Sequence, residues 1–176
     1  MYQRLLRLRY MVLLPLRPLN KYKIVDVDQE KGKYIVQCSF LRAVMKLSLD
    51  DIVADPGLIL GFPSEQACFL GIKVASFLSD SSPITIASMA KIIQKNGGKY
   101  SVLSEMRGKK ICFIDREQFQ KQIMCPITIA TDPDLINNFG PGQSFYIGYL
   151  AGTLVLSKQS FSNPAINSPV QLRVVK

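Results

Sequence analysis

The chain has 176 residues, with 22 Lys plus Arg against 13 Asp plus Glu, which gives a formal net charge of +9. Because 48% of its residues are hydrophobic, the composition excludes a disordered chain and predicts a single compact domain that folds without disulfides or metal. The sequence has no His, which excludes Ser-His and Cys-His nucleophile pairs and removes the commonest metal ligand.

Residues 1–19 form an N-terminal arm in which arginines are interleaved with leucines and acidic residues are absent. Its apolar run Met11–Leu14 is short and is followed by Pro15, so a secretory signal is not expected. The lack of acids leaves a mitochondrial presequence open as an alternative. We interpret the arm as an edge strand or a docking segment.

Residues 20–79 form the first unit, which begins with strand-like sequence. Two runs, Tyr22–Val27 and Tyr34–Phe40, are rich in β-branched and aromatic residues and are joined by a polar, turn-like segment. A third run, Ala43–Leu49, extends this hairpin and predicts a three-stranded meander.

Helices are predicted in the rest of this unit and in the segment that follows it. Asp55 can cap the free N–H groups of a short helix that starts at Pro56, whose fixed φ suits the first helical position. Apolar periodicity predicts a longer helix over Ser64–Leu78. A linker helix is predicted over residues 80–97, where a pair of glycines ends it.

Residues 98–156 form the second unit, which resembles the first. At an offset of 77 residues, the segments 55–71 and 132–148 are identical at seven of 17 positions. Asp132 is the predicted cap of the second short helix, and residues 142–155 are predicted as the second long helix. The sequence therefore predicts an α+β fold built by internal tandem duplication, with the two units related by a pseudo-twofold axis.

Small residues recur every four positions on both long helices, a spacing that lets another backbone approach closely. Because Gly inside a helix is about 1 kcal/mol less favourable than Ala, the stripe predicts that the two helices cross near Gly71 and Gly148. The residues predicted to pack the units together are Ala67, Gly71, Ala75, Ser144, Gly148 and Gly152. The apolar stretch Gln143–Leu156 is shorter than the roughly 20 residues that a bilayer span needs, so both helices are predicted to be core helices.

A pentamer, Pro-Ile-Thr-Ile-Ala, occurs at residues 83–87 and again at residues 126–130. Its alternating β-branched residues favour a strand at both places, which at residues 83–87 competes with the predicted linker helix. Residues 157–176 form a C-terminal segment, in which Gln171–Val175 is predicted to add a strand at a sheet edge.

The cysteines and carboxylates predict no catalytic or metal centre. With no Cys-x-x-Cys spacing and no His, the common zinc sites are not expected from Cys38, Cys68, Cys112 and Cys125. They are interpreted as free thiols, which favours a reducing, cytoplasmic location, with a disulfide pair as the minor alternative. Turns and helix caps account for the acidic residues. We therefore predict a non-enzymatic protein that uses no cofactor.

The positive charge is concentrated in two segments. Residues 1–25 carry six basic residues and no acid, and residues 91–121 carry eight basic residues against three acids. Such segregation produces a local positive field that attracts phosphate groups. The residues predicted to contact nucleic acid are Arg4, Arg7, Arg9, Arg17, Lys91, Lys95, Lys99, Arg107, Lys109, Lys110, Arg116 and Lys121. Tyr22, Tyr34 and Tyr100 are candidates for base stacking, although an aromatic residue in a strand more often packs in the core.

Taken together, these features predict a non-enzymatic basic binding module that contacts nucleic-acid phosphates with little base readout. No zinc-finger, RNP or basic-zipper pattern is present in the sequence. The alternative is a structural or adaptor subunit of a multiprotein assembly, in which the N-terminal arm pairs with a neighbour's sheet edge. A protein partner or a homo-oligomer is therefore also compatible with the sequence.

Overall fold

The computed structural model describes residues 21–39, 41–78, 92–94 and 97–162, with side chains in the last range up to Lys158. These residues form two three-stranded antiparallel sheets and a set of helices, which confirms the α+β class. The N-terminal arm, most of the predicted linker helix and the predicted C-terminal strand lie outside the described residues.

The first unit contains a meander followed by three helical segments. Its strands are β1 (Tyr22–Asp28), β2 (Lys33–Cys38) and β3 (Ala43–Ser48). Its helical segments are α1 (Leu49–Ala54), a 3-10 helix (Pro56–Gly61) and α2 (Ser64–Leu78). Helix α2 has the bounds that the apolar periodicity predicts.

The second unit has the same order of elements. Its strands are β4 (Tyr100–Met106), β5 (Lys110–Asp115) and β6 (Lys121–Met124). Its helices are α3 (Pro126–Ala130), α4 (Pro133–Ile136) and α5 (Pro141–Ser162). Helix α5 starts one residue before the predicted helix and continues beyond Val155 into the C-terminal segment.

The two sheets share their strand order and the position of one irregularity. The first sheet has the order β1-β2-β3 and the second β4-β5-β6. Each first strand has a bulge, between Ile24 and Asp26 in β1 and between Val102 and Ser104 in β4. A bulge leaves one residue out of the strand ladder, so its neighbouring backbone groups need other partners.

A glutamine from each long helix supplies such a partner. The Oε1 atom of Gln66 on α2 accepts a hydrogen bond from the backbone N–H of Ile24 at 2.8 Å. The Oε1 atom of Gln143 on α5 accepts one from the backbone N–H of Val102 at 3.2 Å. Each sheet is thereby joined to its own long helix at the bulge.

Aspartate caps precede both short helical segments. Asp55 accepts a hydrogen bond from the Gly57 N–H at 3.1 Å, and Asp132 accepts one from the Asp134 N–H at 3.0 Å. In both cases a proline occupies the first helical position. The first segment is a 3-10 helix, whereas the second is a single α-helical turn.

The long helices α2 and α5 pack against each other at their small residues. A Cβ atom added to Gly71 would overlap the carbonyl oxygen of Phe145, and one added to Gly148 would overlap the carbonyl oxygen of Cys68. Gly71 and Gly148 are 77 positions apart, and so are Cys68 and Phe145, so the two contacts are reciprocal. The remaining stripe residues, all buried as well, are Ala67, Ala75, Ser144 and Gly152.

Each long helix contributes to the core of the other unit. Phe145 of α5 is fully buried among apolar residues of the first sheet and its helices. Cys68 of α2 is buried beside Phe113 and Ile147 in the cluster under the second sheet. The two sheets are therefore linked through the helix pair.

Residues 126–130 form helix α3, so the strand predicted there is wrong. Pro126 at the first helical turn has the φ that a helix requires and cannot donate a hydrogen bond to a strand ladder. Pro126 and Ile129 are both buried, which is a helical spacing of three. Burial on one helical face thus outweighs the β propensity of the isoleucines and threonine. The second copy of the pentamer, at residues 83–87, lies outside the described residues.

Candidate functional site

The second sheet has one face that is turned away from the helices. In β5, Ile111 and Phe113 are fully buried, so Lys110, Cys112 and Ile114, which alternate with them, point to the opposite side. We call this side the outer face. Its exposed and half-exposed residues across the three strands are Ser104, Met106, Lys110, Cys112, Ile114, Lys121 and Ile123.

Five of the predicted nucleic-acid contacts lie at the two ends of this sheet. Arg107, Lys109 and Lys110 cluster at the β4–β5 turn, whereas Arg116 and Lys121 lie at the other end of β5, and all five are exposed. At ~3.3 Å per strand residue, the two groups are about 17 Å apart. The predicted contacts outside the described residues are Arg4, Arg7, Arg9, Arg17, Lys91 and Lys95.

Lys99 differs from the other predicted contacts because it is paired with acids. Its Nζ atom lies 3.6 Å from Oδ2 of Asp115 and 3.0 Å from Oε2 of Glu117. The hydrogen bond to Glu117 is the main cause that raises the pKa of Lys99. Lys99 therefore holds the β5–β6 turn and is not a free cation for a ligand.

The third carboxylate of the second sheet is also engaged by the protein. Glu105 accepts a hydrogen bond from the hydroxyl of Tyr146 on α5. Burial, followed by this hydrogen bond, raises the pKa of Tyr146 above its ordinary value, so the hydroxyl stays protonated as a donor. In the described part of the chain, no carboxylate lies within ion-pair distance of Arg107, Lys109 or Lys110.

The outer face of the first sheet has a different charge pattern. Asp28 in β1 lies directly opposite Lys33 in β2, and Asp26 pairs with Ile35, whose other neighbour is Lys46. Acidic and basic side chains are thus interspersed on this face. The outer face of the second sheet, by contrast, has lysines and no acid among its residues.

The carboxylate of Asp115 is buried beside the β5–β6 turn, and its charge can be tested for a contribution to stability. Burial opposes its ionisation, but the backbone N–H groups of Gln118 and Glu117, together with Lys99, outweigh burial and lower the pKa of Asp115. A carboxyl group with a lowered pKa stabilises the fold above its unfolded pKa of about 3.9, and this stabilisation is lost as the pH falls below that value.

We therefore expect Asp115→Asn, which keeps an acceptor oxygen but removes the charge, to lower the Tm at neutral pH. Because the wild-type carboxylate becomes protonated in acid, the difference in Tm should shrink below about pH 4. Thermal melts followed by circular dichroism across this pH range measure the difference. A difference that stays constant down to the lowest pH would contradict a role for the charge.

Phe119 is a surface residue that the sequence prediction missed. It lies in the β5–β6 turn, its side chain is 79% exposed, and its φ is 56°. A bulky residue rarely adopts a positive φ. The equivalent position in the first unit is Arg42, with a φ of 47°. The signal in the sequence is an aromatic residue between Arg116 and Lys121, within the basic segment 91–121.

The three tyrosines considered for base stacking pack inside the protein. Tyr34 is buried, Tyr22 lies 5.4 Å from the ring of Phe62, and Tyr100 lies 5.3 Å from the ring of Phe113. These rings belong to the inner faces of the sheets and support the packing interpretation.

The structure describes all four cysteines as free thiols. Burial raises the pKa of Cys68 to about 12, which makes its thiol unreactive. No group of three or more Cys, Asp or Glu residues in the described ranges is arranged to hold a metal ion. A pocket of about 220 Å³ between α2, α3 and α5 is lined mainly by apolar residues such as Ile72, Ile127 and Val155.

Comparison of this chain with protein-family models, curated proteins and solved structures found no match. Among the helices that the structure describes, none combines the length and the apolar character needed to cross a membrane.

Proposed function

We propose that the protein is a non-enzymatic binding module that contacts nucleic-acid phosphates through the basic ends of its second sheet. The observation that supports this proposal is that the acidic side chains of that sheet are engaged by other protein groups, whereas most of its basic side chains are not. Its carboxylates are held by Lys99 and Tyr146, whereas five exposed Arg and Lys side chains have no acidic partner among the described residues. Unpaired cations at both ends of an exposed face favour a polyanionic partner.

A tandem duplication, with the units packed about a pseudo-twofold axis, is the origin that we propose for this arrangement. Three features support it: equivalent bulges, a glutamine at each bulge, and reciprocal contacts of Gly71 and Gly148. Reciprocal contacts are characteristic of twofold symmetry. The first sheet, with its mixed charges, then serves as an internal reference for the proposed binding surface.

The test is fluorescence-anisotropy titration with mixed-sequence DNA and RNA at two salt concentrations. A variant with Arg107→Gln, Lys109→Gln and Lys110→Gln should bind about 10-fold more weakly at low salt. Because each lost phosphate contact removes about 0.7 from the salt slope on a single strand, the slope should fall by about 2.

The matched control neutralises three exposed lysines of the first sheet. Lys31→Gln in the β1–β2 turn, with Lys33→Gln and Lys46→Gln on the outer face, removes the same charge from a region that already contains acids, so a much smaller loss of affinity is expected. Equal losses in the two variants would mean that net charge alone drives binding. Absence of binding by the wild-type protein at low salt would reject the proposed function.

The second candidate function is a structural or adaptor subunit of a protein assembly. It is favoured by exposed apolar side chains on the edge strands β3 and β6, since Val44 is 64% exposed and Ile123 is 55% exposed. An edge strand can pair with a strand of another chain. The same titration separates the two functions, because an adaptor would show no salt-dependent binding of polynucleotide.

A further inference from the structure

The β5–β6 turn holds an aromatic side chain away from the core. Phe119 is 79% exposed, the largest exposed fraction among the large hydrophobic residues that the structure describes as exposed. Its positive φ is a conformation that a bulky residue rarely adopts. Because the ring is exposed, no burial of the ring offsets the energetic cost of this backbone conformation. Because Arg42 in the equivalent turn has a similar φ of 47°, this conformation belongs to the turn, and it is the exposure of the Phe119 ring that points to a role outside the fold.

Hydrogen bonds on both sides of Phe119 fix the turn that presents it. The Oδ1 atom of Asp115 accepts hydrogen bonds from the N–H groups of Glu117 at 2.9 Å and Gln118 at 3.1 Å. The N–H of Asp115 donates to the carbonyl oxygen of Gln120 at 2.9 Å. The ring is therefore presented by a braced turn, which lowers the ordering cost of binding.

The surroundings of the ring match a negatively charged partner. Arg116 and Lys121 are exposed on either side of Phe119 in the chain. The two acids of the turn, Asp115 and Glu117, are both paired with Lys99. The turn thus offers an aromatic face together with two exposed cations, and with Lys99 its three cations exceed its two acids by one charge.

We propose that Phe119 is a stacking platform for an unpaired base of single-stranded nucleic acid, with Arg116 and Lys121 on the adjacent phosphates. The inference rests on the proposed function and narrows it from polynucleotides in general to single strands. A base exposes its face to a side chain only where it is unpaired, and an aromatic ring stacks on any base. Base pairing in a duplex would leave the ring without this contact.

The first experiment replaces Phe119 and measures affinity for oligonucleotides of about 15 nucleotides. Phe119→Ala should bind an oligothymidylate about 10-fold more weakly than the wild type, because one stacking contact is lost. Its affinity for an abasic oligonucleotide and for a duplex of equal length should be unchanged. The matched control is Leu41→Ala, since Leu41 is 70% exposed in the equivalent turn of the first sheet and should have no effect.

The second experiment uses the absence of tryptophan from the sequence. Phe119→Trp introduces the sole tryptophan, whose fluorescence should be quenched by oligothymidylate but not by the abasic strand. Leu41→Trp places the reporter in the equivalent turn of the first sheet and should show no quenching.

The outcomes separate this inference from the proposed function. Equal binding of oligothymidylate by the wild type and Phe119→Ala, or no quenching in Phe119→Trp, overturns the stacking role while salt-dependent binding continues to support phosphate contact. If the wild-type protein binds no polynucleotide, both the stacking role and the proposed function are rejected. Circular dichroism melts of the variants check that the exposed substitutions leave the fold intact.

Discussion

Gly148→Ala is expected to lower the free energy of unfolding by about 3 kcal/mol. The added Cβ would overlap the carbonyl oxygen of Cys68, a backbone atom within helix α2 that cannot rotate away. The two helices must therefore move apart, and overpacking of this kind costs about 1–3 kcal/mol or more. At an exposed helical position the same change would stabilise by about 1 kcal/mol, so the sign of the effect distinguishes a helix crossing from a free surface.

Two further substitutions control this prediction. Gly71→Ala should have a similar effect, because its Cβ would overlap the carbonyl oxygen of Phe145. Gly97→Ala should be nearly neutral, since no atom lies within 4 Å of the added Cβ. Urea unfolding followed by circular dichroism measures all three variants.

The double variant tests the reciprocity of the crossing. One separation of α2 from α5 would relieve both overlaps, so Gly71→Ala combined with Gly148→Ala should cost less than the sum of the single changes. Full additivity would indicate two independent contacts. Stabilisation by Gly148→Ala alone would contradict the close helix crossing.

Local signals were sufficient to predict several elements of the fold. The bounds of α2 follow from apolar periodicity, and the Asp-Pro pairs place Asp55 and Asp132 at the starts of the short helical segments. The strand runs of the first meander were also predictable, because β-branched and aromatic residues cluster between polar turns. These signals are encoded within a few residues of the elements that they specify.

Short helices were less predictable because burial against the rest of the fold determines whether such residues form a helix or a strand. Helix α3 has the β-branched composition of a strand, and the burial of Ile129 fixes it as a helix. Helix α1 carries a capping box, in which the Asp51 N–H donates to Ser48 Oγ at 3.2 Å and the Ser48 N–H donates to Asp51 Oδ2 at 2.7 Å. This Ser-x-x-Asp signal is present in the sequence, but the β-rich residues before it predict a strand that continues through Leu49.

The positive charge of the candidate site was predictable from the sequence, but the ion pairs that some of its basic residues form were not. Segment composition identified the basic residues around the second meander. It could not show that Lys99 is paired with acids whereas Lys109, among the described residues, is not. Lys99 reaches Asp115 because β4 pairs with β5 next to it, and this contact spans 16 positions of sequence. The exposure of Phe119 likewise depends on the conformation of a turn that composition does not specify.

Gln143→Leu is expected to lower the free energy of unfolding by about 2–3 kcal/mol. Gln143 is only 2% exposed, and its amide accepts from the Val102 N–H at 3.2 Å and donates to the Ile93 carbonyl at 3.4 Å. Leucine has a similar size but leaves both backbone groups without this partner. Each unsatisfied buried group costs about 1–3 kcal/mol, which the added apolar burial offsets in part.

Gln66→Leu provides the matched comparison, because Gln66 serves the equivalent bulge in the first sheet. Its Oε1 accepts from the Ile24 N–H at 2.8 Å and its Nε2 donates to the Ile24 carbonyl at 3.4 Å, but the side chain is only half-buried, so water can replace both lost bonds. Its expected cost is therefore about 1 kcal/mol. Urea unfolding measures both variants, and equal costs would contradict the view that burial sets the difference. A larger cost for Gln143→Leu would show that a glutamine at the bulge contributes more to stability where its surroundings bury it more deeply.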